Sequence, residues 1–140
     1  MLTNSTILAL DVGAQRIGVA RANTIARIAS PLVTLTNDST TFDEITALIT
    51  SEDVGALVVG LPRGLEGQET AQTQTIRDFV TELKAKTDLP VYFQDEALTS
   101  RKAEDELESR GKPFSKGDID ALAATFILED FLQDNMELFS

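Results

Sequence analysis

Histidine, cysteine and tryptophan are absent from the 140-residue chain. Without a thiol or an imidazole there is no Cys or Ser–His nucleophile and no imidazole general base. A Cys/His zinc site and a disulfide framework are excluded as well. Any metal must then be held by oxygen ligands, which points to Mg²⁺ or Mn²⁺ rather than Zn²⁺. Basic residues are scarce: 12 Lys and Arg stand against 23 Asp and Glu, a formal charge of −11. Such an excess of acid argues against nonspecific attachment to nucleic acid or anionic lipid, but net charge does not say where the basic residues sit. Long apolar runs are missing too. Ile7 to Val12 is far too short to span a bilayer, and no basic flank or cleavage pattern marks a signal peptide. The expectation is a cytoplasmic protein with no membrane partner, folded as a single domain over residues 1–140.

Periodicity supplies the elements. Ile7–Asp11 reads as a buried strand ending at a Gly13 turn, Ile17–Arg21 follows at hairpin distance, and a third extended piece fits Pro31–Leu35. Phe42, Ile45, Leu48 and Ile49 recur at helical spacing over 43–50, with Ser39 and Thr40 as candidate caps. Ala56–Gly60 is an apolar strand followed by the Gly-rich polar loop 63–70. A long helix is expected from about Thr70 to Lys86, then a strand over Pro90–Phe93 that runs into Gln94-Asp95-Glu96. Helices over Thr99–Ser109 and Asp118–Leu132 complete the chain. Strands linked by helices imply right-handed parallel crossovers, here added to an antiparallel start. The expected fold is α/β: a mixed sheet of antiparallel N-terminal strands and parallel crossover strands, flanked by helices.

Three segments offer carboxylates where chemistry is expected. Asp11 closes the first strand, and sites in open α/β sheets gather outside strand carboxyl ends. Strand alternation puts it on the apolar face of Ile7 and Ala9, which turn chemistry alone does not explain. Asp95 and Glu96 follow the last strand, and neighbours in an extended chain face opposite ways, so one of the two can aim at a shared site. The other reading of this pair is a helix cap. On the last helix Asp120 shares a stripe with Ala123, Ala124, Ile127 and Phe131, at about 100° per residue. Asp118 falls with Thr125 and Glu129 on the polar side and reads as an N-cap. A carboxylate aimed into a helix–sheet contact is costly unless a cation meets it, either a divalent metal or an Arg. Asp11, Glu96 (or Asp95) and Asp120 thus form a candidate metal-binding cluster. Oxygen ligands suit two-metal phosphodiester hydrolysis, in which one ion activates water and the other stabilises the leaving oxygen.

The residues that carry this pattern also carry a resemblance. LALDVGAQRIGVARAN (8–23), LVVGLPRGLEGQE (57–69), QDEALTSRKAE (94–104) and KGDIDALAATFILEDFL (116–132) resemble the YqgF/RuvX family of the RNase H-like superfamily. The blocks cover nearly the whole chain in order. The resemblance implies an RNase H-like mixed sheet and a Mg²⁺- or Mn²⁺-dependent nuclease that processes the 5′ end of precursor 16S rRNA. A Holliday junction resolvase activity is the alternative it carries. By motif, Asp11, Glu96 and Asp120 match the catalytic, metal-binding acids. Many members have Arg after the DE pair, where this chain has Ala97; Arg101 or Arg63 is the candidate replacement for a phosphate contact.

The basic residues are unevenly placed. Arg16 and Arg21 flank the first hairpin, Arg63 sits in the Gly-rich loop, Arg101 and Lys102 open a helix, and Arg110, Lys112 and Lys116 occupy an acid-free connection. Much of the surplus acid lies in 104–108 and the last segment, away from these loops. Arg16, Arg63, Arg101, Lys112 and Lys116 are therefore the candidate nucleic-acid contacts, a local basic rim around an acidic centre. Phe114 is the one exposed-looking aromatic for base stacking. The expected partner is precursor rRNA or a pre-ribosomal particle. Branched DNA is the alternative, which requires a two-fold dimer rather than a monomer. A non-catalytic ribosome-assembly or nucleic-acid-binding module is a third reading. An actin-like ATPase ranks last, since no GxxxxGK[ST] loop is present.

Overall fold

A computed structural model describes residues 5–96 and 99–139. In chain order the elements are β1 (Thr6–Val12), β2 (Arg16–Asn23), β3 (Ser30–Thr36), α1 (Thr41–Ser51), β4 (Val54–Pro62), α2 (Ala71–Lys84), β5 (Val91–Glu96), α3 (Thr99–Ser109) and α4 (Lys116–Asp134), with a 3₁₀ turn at Met136–Phe139. The strands form one sheet in the order β3-β2-β1-β4-β5. β1, β2 and β3 pair antiparallel, and β4 runs parallel to both β1 and β5. This is the mixed sheet expected from the element order. No described helix is long and apolar enough to cross a membrane.

Alternation along the strands sorts side chains by size as well as polarity. Leu8, Leu10, Ile17, Val19, Leu57 and Val59 face Ile45 of α1 and Ile76, Val80 and Leu83 of α2. The opposite face carries Ile7, Ala9, Ala20, Ala22, Ala56 and Val58 and packs against Ala124, Ile127, Leu128 and Phe131 of α4. Small residues on the second face let α4 lie close to the sheet. α3 rests on α4 through Ala103, Leu122 and Ala123. The approach is tightest at Gly18, where an added Cβ would overlap the backbone carbonyl of Asp120.

One capping expectation is corrected. Asp118 is not the N-cap of α4: the cap is Ser115, and Asp118 is the third helical residue. Ser115 Oγ accepts from the Asp118 N–H at 3.2 Å, and Asp118 Oδ2 accepts from the Ser115 N–H at 2.9 Å. This reciprocal box satisfies two orphan donors where a single cap would satisfy one. Thr125, expected on the polar side, is buried and donates its hydroxyl to Ala121 O at 2.9 Å. At α1, Thr40 holds the cap position without a capping bond; its hydroxyl donates to Asp38 Oδ1 instead, at 2.6 Å.

Because the first turn of α4 lies on bare β2 backbone, Gly18→Ala must push the helix and the sheet apart. We expect a cost of roughly 1–3 kcal/mol, seen as a fall of roughly 5–10 °C in the thermal unfolding midpoint. An unchanged midpoint would contradict the close approach.

Candidate active site

Asp11 lies opposite Gly18 in the β1–β2 register. Since Asp120 sits on Gly18, the two carboxylates become neighbours on the α4 side of the sheet. Asp11 has its pKa raised from 3.8 to about 6, first by burial and then by the charge of Asp120. Asp120 also has a cation. The alternation that places Ala20 and Gly18 under α4 turns Arg16 the same way, and its Nε donates to Asp120 Oδ2 at 2.5 Å. The expectation that a metal or an Arg meets Asp120 in the helix–sheet contact is thus met, in this structure, by Arg16.

The Asp95–Glu96 pair ends β5 and divides as neighbours in a strand must. Asp95 is exposed and pairs with Arg63 at 3.3 Å. Glu96 shares its side of the strand with Tyr92, which packs on Phe131, and Gln94, which donates to Asp134 Oδ2 at 2.9 Å. Glu96 therefore belongs to the α4 side, with Asp11 and Asp120. Its pKa is raised to about 8, mainly by burial, then by a hydrogen bond with Asp130 and that residue's charge. Lys102 opposes the rise, and the charge of Asp11 adds to it. Glu96 Oε1 is buried with no hydrogen-bond partner among the described residues.

Asp11 and Asp120 thus form one pair and Glu96 and Asp130 another, under a single helix. Among the described residues no three acidic side chains are close enough together to hold one ion. Two participants were missed in the sequence. Asp130 falls within the surplus acid of the last segment, set apart from the basic loops, although it lies three residues after the core residue Ile127, the one available signal. Lys102, noted only as a helix-opening base, acts on Glu96 and stacks its Nζ over Phe126 at 4.6 Å. Of the expected nucleic-acid contacts, Arg16 is bound to Asp120, and Arg63 to Asp95 and Glu69. Lys112 and Lys116 are exposed and without an ion pair among the described residues. Phe114 is half-buried and lines a cleft of about 270 Å³ with Pro31, Leu107, Arg110 and Lys112. Ala97 and the side chain of Arg101 lie outside the described residues.

Acids at the carboxyl ends of β1 and β5 and on a helix crossing this mixed sheet define an RNase H-like fold. The chain is similar to Thermus thermophilus RuvC in complex with a Holliday junction substrate, with a TM-score of 0.60 and 17% identity over 95% of this chain and 96% of that one. Fowlpox virus resolvase in complex with Holliday junction DNA is similar at a TM-score of 0.53 and 13% identity, over 96% and 99% of the two chains. At such identities the likeness establishes the fold. The chain belongs to the RuvX family, whose model, described as "Holliday junction resolvase", matches residues 5–134. Relatives described as "Putative pre-16S rRNA nuclease" occur in Sulfurihydrogenibium sp. strain YO3AOP1, 39% identical over 91% of this chain and 90% of that one, and in Roseiflexus sp. strain RS-1, 42% identical over 90% and 92%. The family is one of nucleases, hydrolases acting on ester bonds.

The raised Asp11 pKa has a thermodynamic consequence. As pH rises from about 4 through 6, the folded protein must charge a buried acid that the unfolded chain charges freely, so Asp11 progressively destabilises the fold. Asp11→Asn removes that burden. In EDTA the variant should be more stable than the parent above pH 7, by up to about 3 kcal/mol, with the gap closing towards pH 4. Denaturant unfolding across this range checks it, and a gap independent of pH would contradict it.

Proposed function

We propose that the protein is a divalent-metal-dependent nuclease that hydrolyses phosphodiester bonds of structured RNA at the 5′ end of precursor 16S rRNA. It works in the cytoplasm, as one RNase H-like domain over residues 1–140. The observation that carries this reading is the half-buried Asp11–Asp120 pair, with the unpartnered Glu96 Oε1 on the same side of the sheet. The donors are all hard oxygens, which fits Mg²⁺ or Mn²⁺. Asp11 and Asp120 would hold the ion; Glu96, the third expected ligand, would have to swing in from the end of β5 to join them. When bound, the ion would polarise a phosphoryl oxygen and lower the pKa of an attacking water.

The chain's own residues do the remaining work. The β1–β2 ladder and the bare backbone of Gly18 set Asp11 and Asp120 side by side. Asp11 is half-buried beside Asp120, and Glu96 Oε1 is buried with no partner among the described residues. Lys112 and Lys116 stand where α4 begins, beside the cleft that Phe114 and Arg110 line. There the phosphate backbone would meet cations and an aromatic face, in competition with Glu106, which pairs with Arg110 at 3.4 Å. The names of the curated relatives support RNA and the ribosomal precursor as substrate.

The family description supports a second reading, the same chemistry on branched DNA. Symmetric cutting of a junction requires a two-fold dimer, so a strict monomer by light scattering at micromolar protein would count heavily against it. The assay that separates the readings uses labelled precursor rRNA and four-way DNA junctions with Mn²⁺ or EDTA. Asp11→Asn and Asp120→Asn should each lower metal-dependent cleavage by at least roughly 100-fold, whereas Asp95→Asn should stay near the parent. Cleavage unaltered by Asp11→Asn would remove the catalytic assignment and leave a nucleic-acid-binding module.

A further inference from the structure

Arg16 contacts a residue that the proposed chemistry needs free. Its Nε engages Asp120 Oδ2 at 2.5 Å, with the Arg16 side chain 37% exposed and that of Asp120 17% exposed. The backbones of both partners are fixed. The Arg16 carbonyl accepts from the Gly13 N–H at 2.9 Å, and the Gln15 carbonyl from the Asn37 N–H at 2.9 Å. Asn37 Nδ2 donates to Gly13 O at 2.8 Å, which ties the β1–β2 turn to the end of β3. On the other side, Thr34 Oγ1 donates to Gly117 O at 2.6 Å, and Asp120 lies on Gly18. With both backbones held, the partly exposed Arg16 side chain leaves its guanidinium a path to solvent.

We propose that Arg16 is a resident counter-cation of Asp120 that a divalent cation must displace, and that its displacement releases a guanidinium at the edge of the site for a substrate phosphate. The inference rests on the metal-dependent reading above. Its physical basis is charge and direction. The guanidinium gives Asp120 a single Nε bond, and no ion pair reaches Asp11 among the described residues. A dication held by Asp11 and Asp120 would offset both negative charges, an attraction that a singly charged guanidinium on Asp120 alone cannot match in a half-buried site. Arg16 and the metal would therefore compete for the same carboxylate, and the competition is reciprocal by linkage. The freed fork of donors suits a phosphate's oxygens. Metal loading and the grip on substrate are thereby coupled in one side chain. A bridge that merely staples the hairpin to α4 would have no such effect on metal affinity.

The test measures Mn²⁺ binding to the purified, nucleic-acid-free protein by calorimetry, and the rise in unfolding midpoint that Mn²⁺ produces. Arg16→Gln should bind Mn²⁺ roughly three- to tenfold tighter than the parent and show a larger Mn²⁺-induced rise in midpoint. Arg16→Lys, which keeps the charge, should stay near the parent. Lys116→Gln removes a charge from the same end of α4 without a contact to Asp120, and should shift affinity much less. Circular dichroism establishes that each variant is folded before titration. Unchanged or weaker binding by Arg16→Gln, or equal tightening by Lys116→Gln, would overturn the displacement while leaving the metal-dependent reading intact. Failure of parent and variant alike to bind Mn²⁺ would remove that reading, and the inference with it.

Discussion

The close approach of the first turn of α4 to β2 is the contact on which the candidate site depends. It requires a residue without a side chain at Gly18, since a Cβ there would overlap the carbonyl of Asp120. It also requires an anchored helix start, which the Ser115–Asp118 box and the Thr34 to Gly117 bond provide. The β1–β2 register places Asp11 opposite that glycine. Three ordinary features of secondary structure thus bring two carboxylates together, and their backbones cannot part without separating helix from sheet. The cost of pairing them appears in the raised pKa of Asp11.

The electrostatics of the molecule follow from this crowding. Asp11 and Glu96 face α4, which itself carries Asp120 and Asp130, and partial burial strengthens repulsion between like charges there. The protein answers with two local cations, Arg16 at one end and Lys102 at the other. Both are long side chains with room to move, on elements that are themselves held in place. A net charge of −11 is a poor guide to such a site. The basic groups that matter act over a few ångströms, while much of the surplus acid is spread along exposed helix faces.

Legibility from the sequence varied with the range of the interaction involved. Asp11 was readable because β1 alternates strictly: an acid in phase with Ile7 and Ala9 has to face what they face. Asp120 was readable from its stripe with Ala124, Ile127 and Phe131. The choice between Asp95 and Glu96 came from the family motif and not from periodicity, since two adjacent strand residues differ only in which side of the sheet meets α4. Tyr92 on Phe131 and Gln94 on Asp134 decide it for Glu96. Asp118 was misassigned as a cap because a single-residue rule overlooked the reciprocal box that begins three residues earlier. Asp130 was overlooked because its relevance depends on how α4 crosses β5, a matter of helix direction rather than helical phase.

Taken alone, the sequence determined the oxygen-only chemistry, the order of strands and helices, and the faces on which Asp11 and Asp120 lie. These follow from composition and from periods of 2 and 3.6, which are local properties of the chain. The tertiary structure decided which charges meet. Arg16 and Asp120 are 104 positions apart and touch because β2 and α4 lie against each other at a glycine. Glu96 and Asp130 share a boundary because α4 crosses the sheet obliquely. Coulomb energies depend on distances that packing alone sets, so the identity of each acid's partner could come only from the folded chain.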